Sequence, residues 1–584
     1  MIRKISFENY KAFEKGEIKL KPITILLGAN SVGKSSIINL LLMLQQTANS
    51  SVYKSALRLH GENVSMGECE NIFRHRDTSR NISIEFEFES WELRTLLKGR
   101  LFKELVFAYV HLLDRLSKEL VLRDDVWRAK IDQFIDPSTG RYKLSICEEG
   151  RLFQELLDAV SWLCENVEVD KYELIEFNTR KMEGTRNTKA AIDVLYSFLS
   201  TARSLIEEDV FQLFVELCYI KTGGKEKVLK IKGMRIQQGE HVILSIDFNL
   251  SKGNSAYAPL SIKTSLLPHG VSRELLDEKA VHEFLQLIRF DSTIFSWLQF
   301  VDNQNDLFVG YWGRGRSIVT RIISNIIEVS LSSVRSSFER GKVNHISPLR
   351  AHPRRFYFLD RANVNMVLDT LDGNSLAEVL KENNRIKQRV NSWLSKFGLK
   401  VNVSTIQDVV HQLKIHQHEL DLDITDVGFG ISQILPIIVQ GFLSFDDSLT
   451  MVEQPEIHLH PKMQAELADL FIDIVRGDAD AQKDMSSQKK GGRKQEGKQK
   501  YLLIETHSEY LLKRLMRRIK EGVISSERVA VYFIEPPKEE GDPSQIIEKE
   551  VSHEGFFEWP KDFYEGEVKL DEYHFIKQLF VHKG

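Results

Sequence analysis

At 584 residues the chain exceeds the length at which a single hydrophobic core keeps growing, so two or three lobes are expected. Apolar residues make up 42% and charged residues 28%, ordinary for a globular protein, and the net charge of −4 excludes a global electrostatic pull towards nucleic acid or membrane. The four cysteines (Cys69, Cys147, Cys164 and Cys218) show no C-x-x-C spacing, which fits neither a zinc site nor a disulfide framework and suits a reducing cytoplasm.

In chain order, residues 2–7 and 18–27 read as strands separated by a turn near Gly16. Met1-Ile2-Arg3-Lys4 therefore opens into alternation rather than into an apolar leader. The second strand ends in Ile23-Thr24-Ile25-Leu26-Leu27, a run typical of a buried central strand. Directly after it, Gly28-Ala29-Asn30-Ser31-Val32-Gly33-Lys34-Ser35 matches G-x-x-x-x-G-K-[ST] without mismatch, and 36–46 then carries Ile37, Leu40, Leu41 and Leu44 at helical spacing. Phosphate binding needs that order. Glycines let successive N–H groups wrap the oxyanions, and a following helix adds its positive N-terminal dipole. On this reading Gly28, Asn30, Ser31, Gly33 and Ser36 line the phosphates of ATP. Lys34 neutralises the β- and γ-phosphates, and the Ser35 hydroxyl ligates Mg²⁺.

Ile82, Ile84, Phe86 and Phe88 alternate with polar residues and mark a half-buried strand. From about residue 91 the apolar spacing becomes helical (Leu101, Leu105, Val106, Tyr109; Leu156, Leu157, Val160, Leu163) and is expected to stay so to about 220. It lacks the sustained heptads of a long coiled-coil arm. The expected division is 1–90, a helical insertion at 91–225, and 226–584. Strands resume at 228–231 and 242–248, and a helix is expected over 318–338. The longest apolar stretch, 431–445, is broken by Pro436 and Gly441 and is too short to span a bilayer, so a cytoplasmic protein without membrane contact is expected.

The last third alternates again, with strands expected at 345–349, 449–452 and 501–504 and a helix at 464–475. Between them, 476–500 is polar and basic (Lys489-Lys490-Gly491-Gly492-Arg493-Lys494) and reads as a solvated, disordered loop. The run Leu449-Thr450-Met451-Val452-Glu453 is a buried strand ending in an acid, the form expected of a second Mg²⁺ contact at the carboxyl end of a parallel strand. Gln454-Pro455-Glu456-Ile457-His458-Leu459-His460-Pro461 follows it. The strand at 501–504 leads into Glu505-Thr506-His507-Ser508, which places His507 where it can sense a γ-phosphate. His458, His460 and His507 lack a fixed metal-ligand spacing, so the phosphate reading is preferred over a metal cluster. Val427-Gly428-Phe429-Gly430-Ile431-Ser432-Gln433 is a glycine turn opening an apolar helix, whose backbone amides suit an anion.

Together these elements resemble ABC-type ATPases of the recombination and overcoming-lysogenization-defect group. The resemblance includes the opening Asn9-Tyr10-Lys11-Ala12-Phe13, the Pro348-Leu349-Arg350-Ala351 segment and Gly555-Phe556-Phe557-Glu558-Trp559-Pro560. It covers 1–90 and 225–584, and the ATPase of the Septu anti-phage system lies in that neighbourhood. It implies an α/β fold: an ABC-type P-loop ATPase head, with a mixed sheet, flanking helices and an antiparallel β lobe. It assigns Lys34 and Ser35 to phosphate and Mg²⁺, Glu453 to the Walker B acid and metal ligand, and His507 to the switch histidine. Gly428, Gly430, Ser432 and Gln433 would contact the γ-phosphate bound by the opposite subunit, in a head-to-tail dimer enclosing two ATP molecules.

Two departures qualify it. Gln454 stands where such enzymes place a catalytic glutamate, so general-base help worth roughly 10²–10⁴-fold is at stake, with Glu456 as a substitute. The nuclease signature of the overcoming-lysogenization-defect enzymes, a late Asp-x-Asp, is absent from 508–584, and Asp421-Leu422-Asp423 reads as a solvent-facing alternation within the ATPase. The expected function is an ATPase that controls a separate effector, an HNH-type nuclease of bacterial anti-phage defence. The alternative is a repair or chromosome-associated ATPase acting on duplex DNA through Arg350, Arg354, Arg355 and the lysines of 489–500. A transporter subunit fits least, and assembly beyond a dimer is left open.

Overall fold

The computed structural model describes residues 2–50, 55–97, 134–138, 141–142, 155, 158, 209–221, 227–249, 258–263, 288–298, 318–350, 352–358, 374–406, 410–483 and 499–559. The chain forms two compact units. One comprises Met1–Ile2, Ser50–Arg58 and Thr78–Ser336, and the other Arg3–Asn49, Leu59–Asp77 and Ser337–Gly584.

The second unit is built on a sheet of six strands in the order Val343–Ile346, Leu449–Glu453, Tyr501–Glu505, Ile23–Gly28, Val529–Glu535 and Gln545–Lys549. All pair in parallel except the last, which is antiparallel. Ile23–Gly28 is buried at every residue, as a strand covered on both faces must be. Helices Asn384–Leu394, Phe429–Leu443, Pro461–Lys483 and Glu509–Lys520 contribute Trp393, Ile434, Phe471 and Leu511 to the same core as Ile25, Val452 and Ile504. Phe557 of the C-terminal Phe-Phe-Glu-Trp segment joins that core, with its ring 5.0 Å from Trp559, while Phe556 is exposed. A second, antiparallel sheet of this unit pairs Val410–Gln417 with Leu399–Ile406, Leu420–Asp423 and Tyr357–Phe358.

The first unit carries an antiparallel sheet ordered Ala258–Lys263, His241–Asn249, Lys227–Gln238, Val210–Lys221 and Ile82–Glu89. Helix Ile318–Ser336 belongs to the same unit and buries Ile326, Ile327, Leu331 and Val334.

Several expected elements differ from those found. The run at 18–27 is two strands, Phe13–Lys19 and Ile23–Gly28, because Pro22 has no N–H for a ladder and offers only its carbonyl, which accepts from Leu502 N. Residues 210–220, expected as the end of the helical insertion, form the strand Val210–Lys221 and bury Phe211, Leu213, Val215 and Leu217 at period two. The rest of that insertion lies almost wholly outside the described residues. The strand expected at 345–349 is Val343–Ile346. The helix expected at 464–475 runs Pro461–Lys483, with proline at its first position, where no N–H is needed, and Ala479 and Ala481 carrying it past 476. Only 484–498 of the expected basic loop remain, outside the described residues. Pro436 and Gly441 do not interrupt helix Phe429–Leu443, and no helix among the described residues is long and apolar enough to cross a membrane.

Candidate functional site

The loop at 28–33 leaves the carboxyl end of the strand Ile23–Gly28 and feeds helix Lys34–Ala48. Ala29, Asn30, Ser31 and Ser35 are exposed there, as ligand-facing groups must be. Gly33 caps the helix at φ 112°, and a Cβ on it would lie 2.8 Å from the Phe13 ring, so both conformation and space demand glycine. Phe13 is itself fully buried against Phe7, ring centroids 5.6 Å apart, and the Tyr10 hydroxyl donates to the Ser36 carbonyl at 3.1 Å. The opening Asn-Tyr-Lys-Ala-Phe segment is therefore the floor under the loop. Burying one such phenyl ring contributes about 1.5–3 kcal/mol.

Lys34 is 4% exposed, and its ammonium donates to the carbonyls of Gly28 at 2.9 Å and Ala29 at 2.6 Å. It also lies 3.8 Å from Glu505 Oε1. Burial lowers its pKa, opposed by the charges of Glu505 and Glu456.

Glu453 ends the strand Leu449–Glu453. The strand Tyr501–Glu505 lies between it and the strand before the loop, pairing Glu453 with Glu505 on one side and Glu505 with Leu26 on the other. Glu453 Oε1 lies 2.6 Å from His345 Nε2, which reaches it from the neighbouring strand Val343–Ile346. Gln454 adopts φ 45°, a left-handed backbone unusual for glutamine. Its N–H donates to the Glu505 carbonyl at 2.8 Å, and Arg350 Nη2 donates to the carbonyls of Glu453 at 2.9 Å and Gln454 at 3.3 Å.

Arg350 was expected among the DNA contacts. It is instead 6% exposed and packed under this turn, with Nε and Nη1 buried without hydrogen-bond partners. Burial lowers its pKa to about 10, against the raising charges of Glu456 and Glu453. Arg355 is exposed but paired with Asp426 at 3.2 Å.

Glu456 accepts from the Thr506 hydroxyl at 2.8 Å through Oε2 and from the His507 backbone N–H at 2.7 Å through Oε1. Both oxygens are thus tied to the 506–507 turn. Burial still raises its pKa, with those hydrogen bonds and Arg350 pulling it down. The His507 ring is exposed, and desolvation, then the Lys34 charge, lowers its pKa. Ser508 caps helix Glu509–Lys520 by accepting from Leu511 N and donates to Gln464 Oε1. His458, His460 and His507 do not form a metal-holding group, and among the described residues no three His, Cys, Asp or Glu do.

Glu505 is the residue that sequence reasoning passed over. It is 4% exposed, its Oε2 is buried without a hydrogen-bond partner, and burial raises its pKa to about 7, with Lys34 opposing and Glu453 and Glu456 reinforcing. Its signal was available, because Tyr501–Glu505 is an apolar strand ending in an acid, as Leu449–Glu453 is. Three carboxylates (Glu453, Glu456, Glu505) stand against the cations Lys34 and Arg350, and Glu505 Oε2 lacks a donor.

The glycine turn caps helix Phe429–Leu443 at Gly428, which is exposed. A Cβ on Gly430 would lie 2.7 Å from the His458 carbonyl, so this turn and the 454–460 turn touch through glycine. Ser432 and Gln433 are buried at 5% and 3%, and Gln433 Nε2 has no hydrogen-bond partner.

No curated protein matches the chain. Among solved structures it is similar to the SMC head domain from Thermotoga maritima, at 8% identity with 94% of this chain and 98% of that chain covered, TM-score 0.29. It is likewise similar to the Smc head domain with an extended coiled coil bound to the C-terminal domain of ScpA from Pyrococcus furiosus, at 8% identity, 94% and 96% covered, TM-score 0.26. The AAA ATPase domain family matches residues 1–221 and 318–512, which take in the phosphate loop, Glu453, Glu505 and His507. The chain belongs to the AAA ATPase domain family.

Proposed function

We propose that this chain binds ATP with Mg²⁺ at the 28–35 loop, hydrolyses it, and uses the nucleotide to close two copies head to tail and so control a separate effector protein. The observation that carries the reading is the convergence of Lys34, Glu453, Glu456 and Glu505 at the carboxyl end of one parallel sheet. Lys34 and the loop amides would hold the phosphates, and Ser35 and Glu453 would hold Mg²⁺, which supplies charge neutralisation of the β- and γ-oxygens when bound. His507 would meet the γ-phosphate from the next strand end. The exposed Gly428 turn would offer its backbone amides to the nucleotide of the other copy.

The effector reading, an HNH-type nuclease in anti-phage defence, is suggested by ATPase motifs without a visible nuclease signature and by the resemblance to a group that includes the ATPase of the Septu system. Direct action on duplex DNA is disfavoured, since one of its proposed contacts, Arg350, is buried. Light scattering with Mg²⁺ and a non-hydrolysable ATP analogue tests the clamp: the mass should double, and an unchanged mass would contradict pairing. Incubating the pure chain with DNA and Mg²⁺ tests the division of labour, which fails if the chain alone cuts.

A further inference from the structure

Gln454 occupies the position at which the resembling enzymes carry an acid, and an amide cannot take a proton from water. A carboxylate stands one strand away. Glu505 ends the strand lying between that of Glu453 and that of the phosphate loop, and the Gln454 N–H donates to its carbonyl at 2.8 Å. The residue is 4% exposed, Oε1 is 3.8 Å from the Lys34 ammonium, and Oε2 has no hydrogen-bond partner. A buried carboxylate oxygen without a donor is costly unless a ligand or an ordered water supplies one. The other acids have partners: Glu456 takes Thr506 and His507 N, and Glu453 takes His345 and, on the reading above, Mg²⁺.

We infer that Glu505 is the carboxylate that accepts the proton of the water attacking ATP, in the place that Gln454 has given up. This inference rests on the ATPase reading above. In the step, the water oxygen forms a bond to the γ-phosphorus, and the bond from that phosphorus to the β,γ-bridging oxygen breaks. ADP leaves with the electron pair, and the water's proton passes to Glu505 and from there to solvent. In this structure Lys34 donates to the Gly28 and Ala29 carbonyls, and binding phosphate would draw its ammonium away from them. Gln454 remains able to orient the water.

The test uses the full chain with radiolabelled ATP and Mg²⁺, measuring ATP affinity by filter binding and kcat at saturation. Thermal melts check that each variant folds. Glu505→Gln, which keeps the shape, is expected to lower kcat by about 10²–10⁴-fold and to shift affinity only a few-fold. Adding Gln454→Glu to Glu505→Gln is expected to restore at least about tenfold of the loss. Unchanged kcat in Glu505→Gln overturns the inference and leaves the nucleotide site intact. Loss of affinity without rescue by Gln454→Glu overturns it too, reducing Glu505 to a counter-ion of Lys34. A wild-type chain that binds ATP without turning it over contradicts the inference alone. Failure of the wild type to bind ATP removes the underlying reading, and the inference with it.

Discussion

The backbone N–H of Gln454 donates to the carbonyl of Glu505 at 2.8 Å, which locks the residue after one strand beside the last residue of the next. The strand order makes that bond informative. Tyr501–Glu505 separates Leu449–Glu453 from Ile23–Gly28, so the acid nearest the phosphate loop is Glu505 and the acid one strand further out is Glu453. On the proposed reading, two acids from two strands divide the work, Glu453 holding metal and Glu505 facing water.

His345 should tune the metal and not the nucleotide. It holds Glu453 Oε1 at 2.6 Å from the outer strand, and such supporting contacts typically change metal affinity by about 10–100-fold. His345→Ala is expected to raise the Mg²⁺ concentration needed for half-maximal turnover by about tenfold or more. Nucleotide binding measured in EDTA should stay the same. Equal loss in both measurements would show that His345 supports the fold instead.

Gly430→Ala should disturb pairing more than ATP binding. The added Cβ would meet the His458 carbonyl at 2.7 Å, so the glycine turn must move away from the 454–460 turn. Light scattering with the non-hydrolysable analogue should show a weakened dimer, while ATP affinity of the monomer falls at most a few-fold. Full dimerisation by this variant would place the partner contact elsewhere.

Asp469 fastens helix Pro461–Lys483 to helix Glu509–Lys520, accepting from Arg514 Nε at 2.9 Å and from Arg518 Nε at 2.5 Å. Burial raises its pKa, but the hydrogen bonds from Arg518 and Arg514 outweigh that and hold it below its usual value. A depressed folded pKa contributes stability above the unfolded value of about 3.9, and that stability is lost as pH falls through the lower folded value. Asp469→Asn should therefore cost about 1–3 kcal/mol at pH 7. The difference in melting temperature from wild type should shrink below about pH 4. A pH-independent difference would mean the loss is one of packing.

Much of this site was legible in the sequence where residues act through contiguity. The phosphate loop is one uninterrupted motif between a strand and a helix, and Glu453 is marked by the apolar run before it. Glu505 was hidden in plain view, because its importance comes from strand order, which no local pattern encodes. Arg350 read as an exposed cation, yet the backbone carbonyls it serves belong to Glu453 and Gln454, far along the chain. The strand Val210–Lys221 shows its alternation openly but follows a long segment of helical spacing, whose period was carried through it. Glu456 offered itself as a substitute base from position alone, whereas its two oxygens turn out to anchor the 506–507 turn.

The most direct test of the central claim is ATP turnover by the purified chain beside Lys34→Ala, with bound nucleotide measured in both. Lys34 is buried where the loop, Glu505 and the helix meet. The expected result is Mg²⁺-dependent turnover in the wild type, with a loss of at least about 100-fold in turnover and nucleotide retention in Lys34→Ala, in line with the removal of a preorganised phosphate-stabilising group. Turnover and retention that persist in Lys34→Ala would contradict the assignment of the 28–35 loop as the nucleotide site.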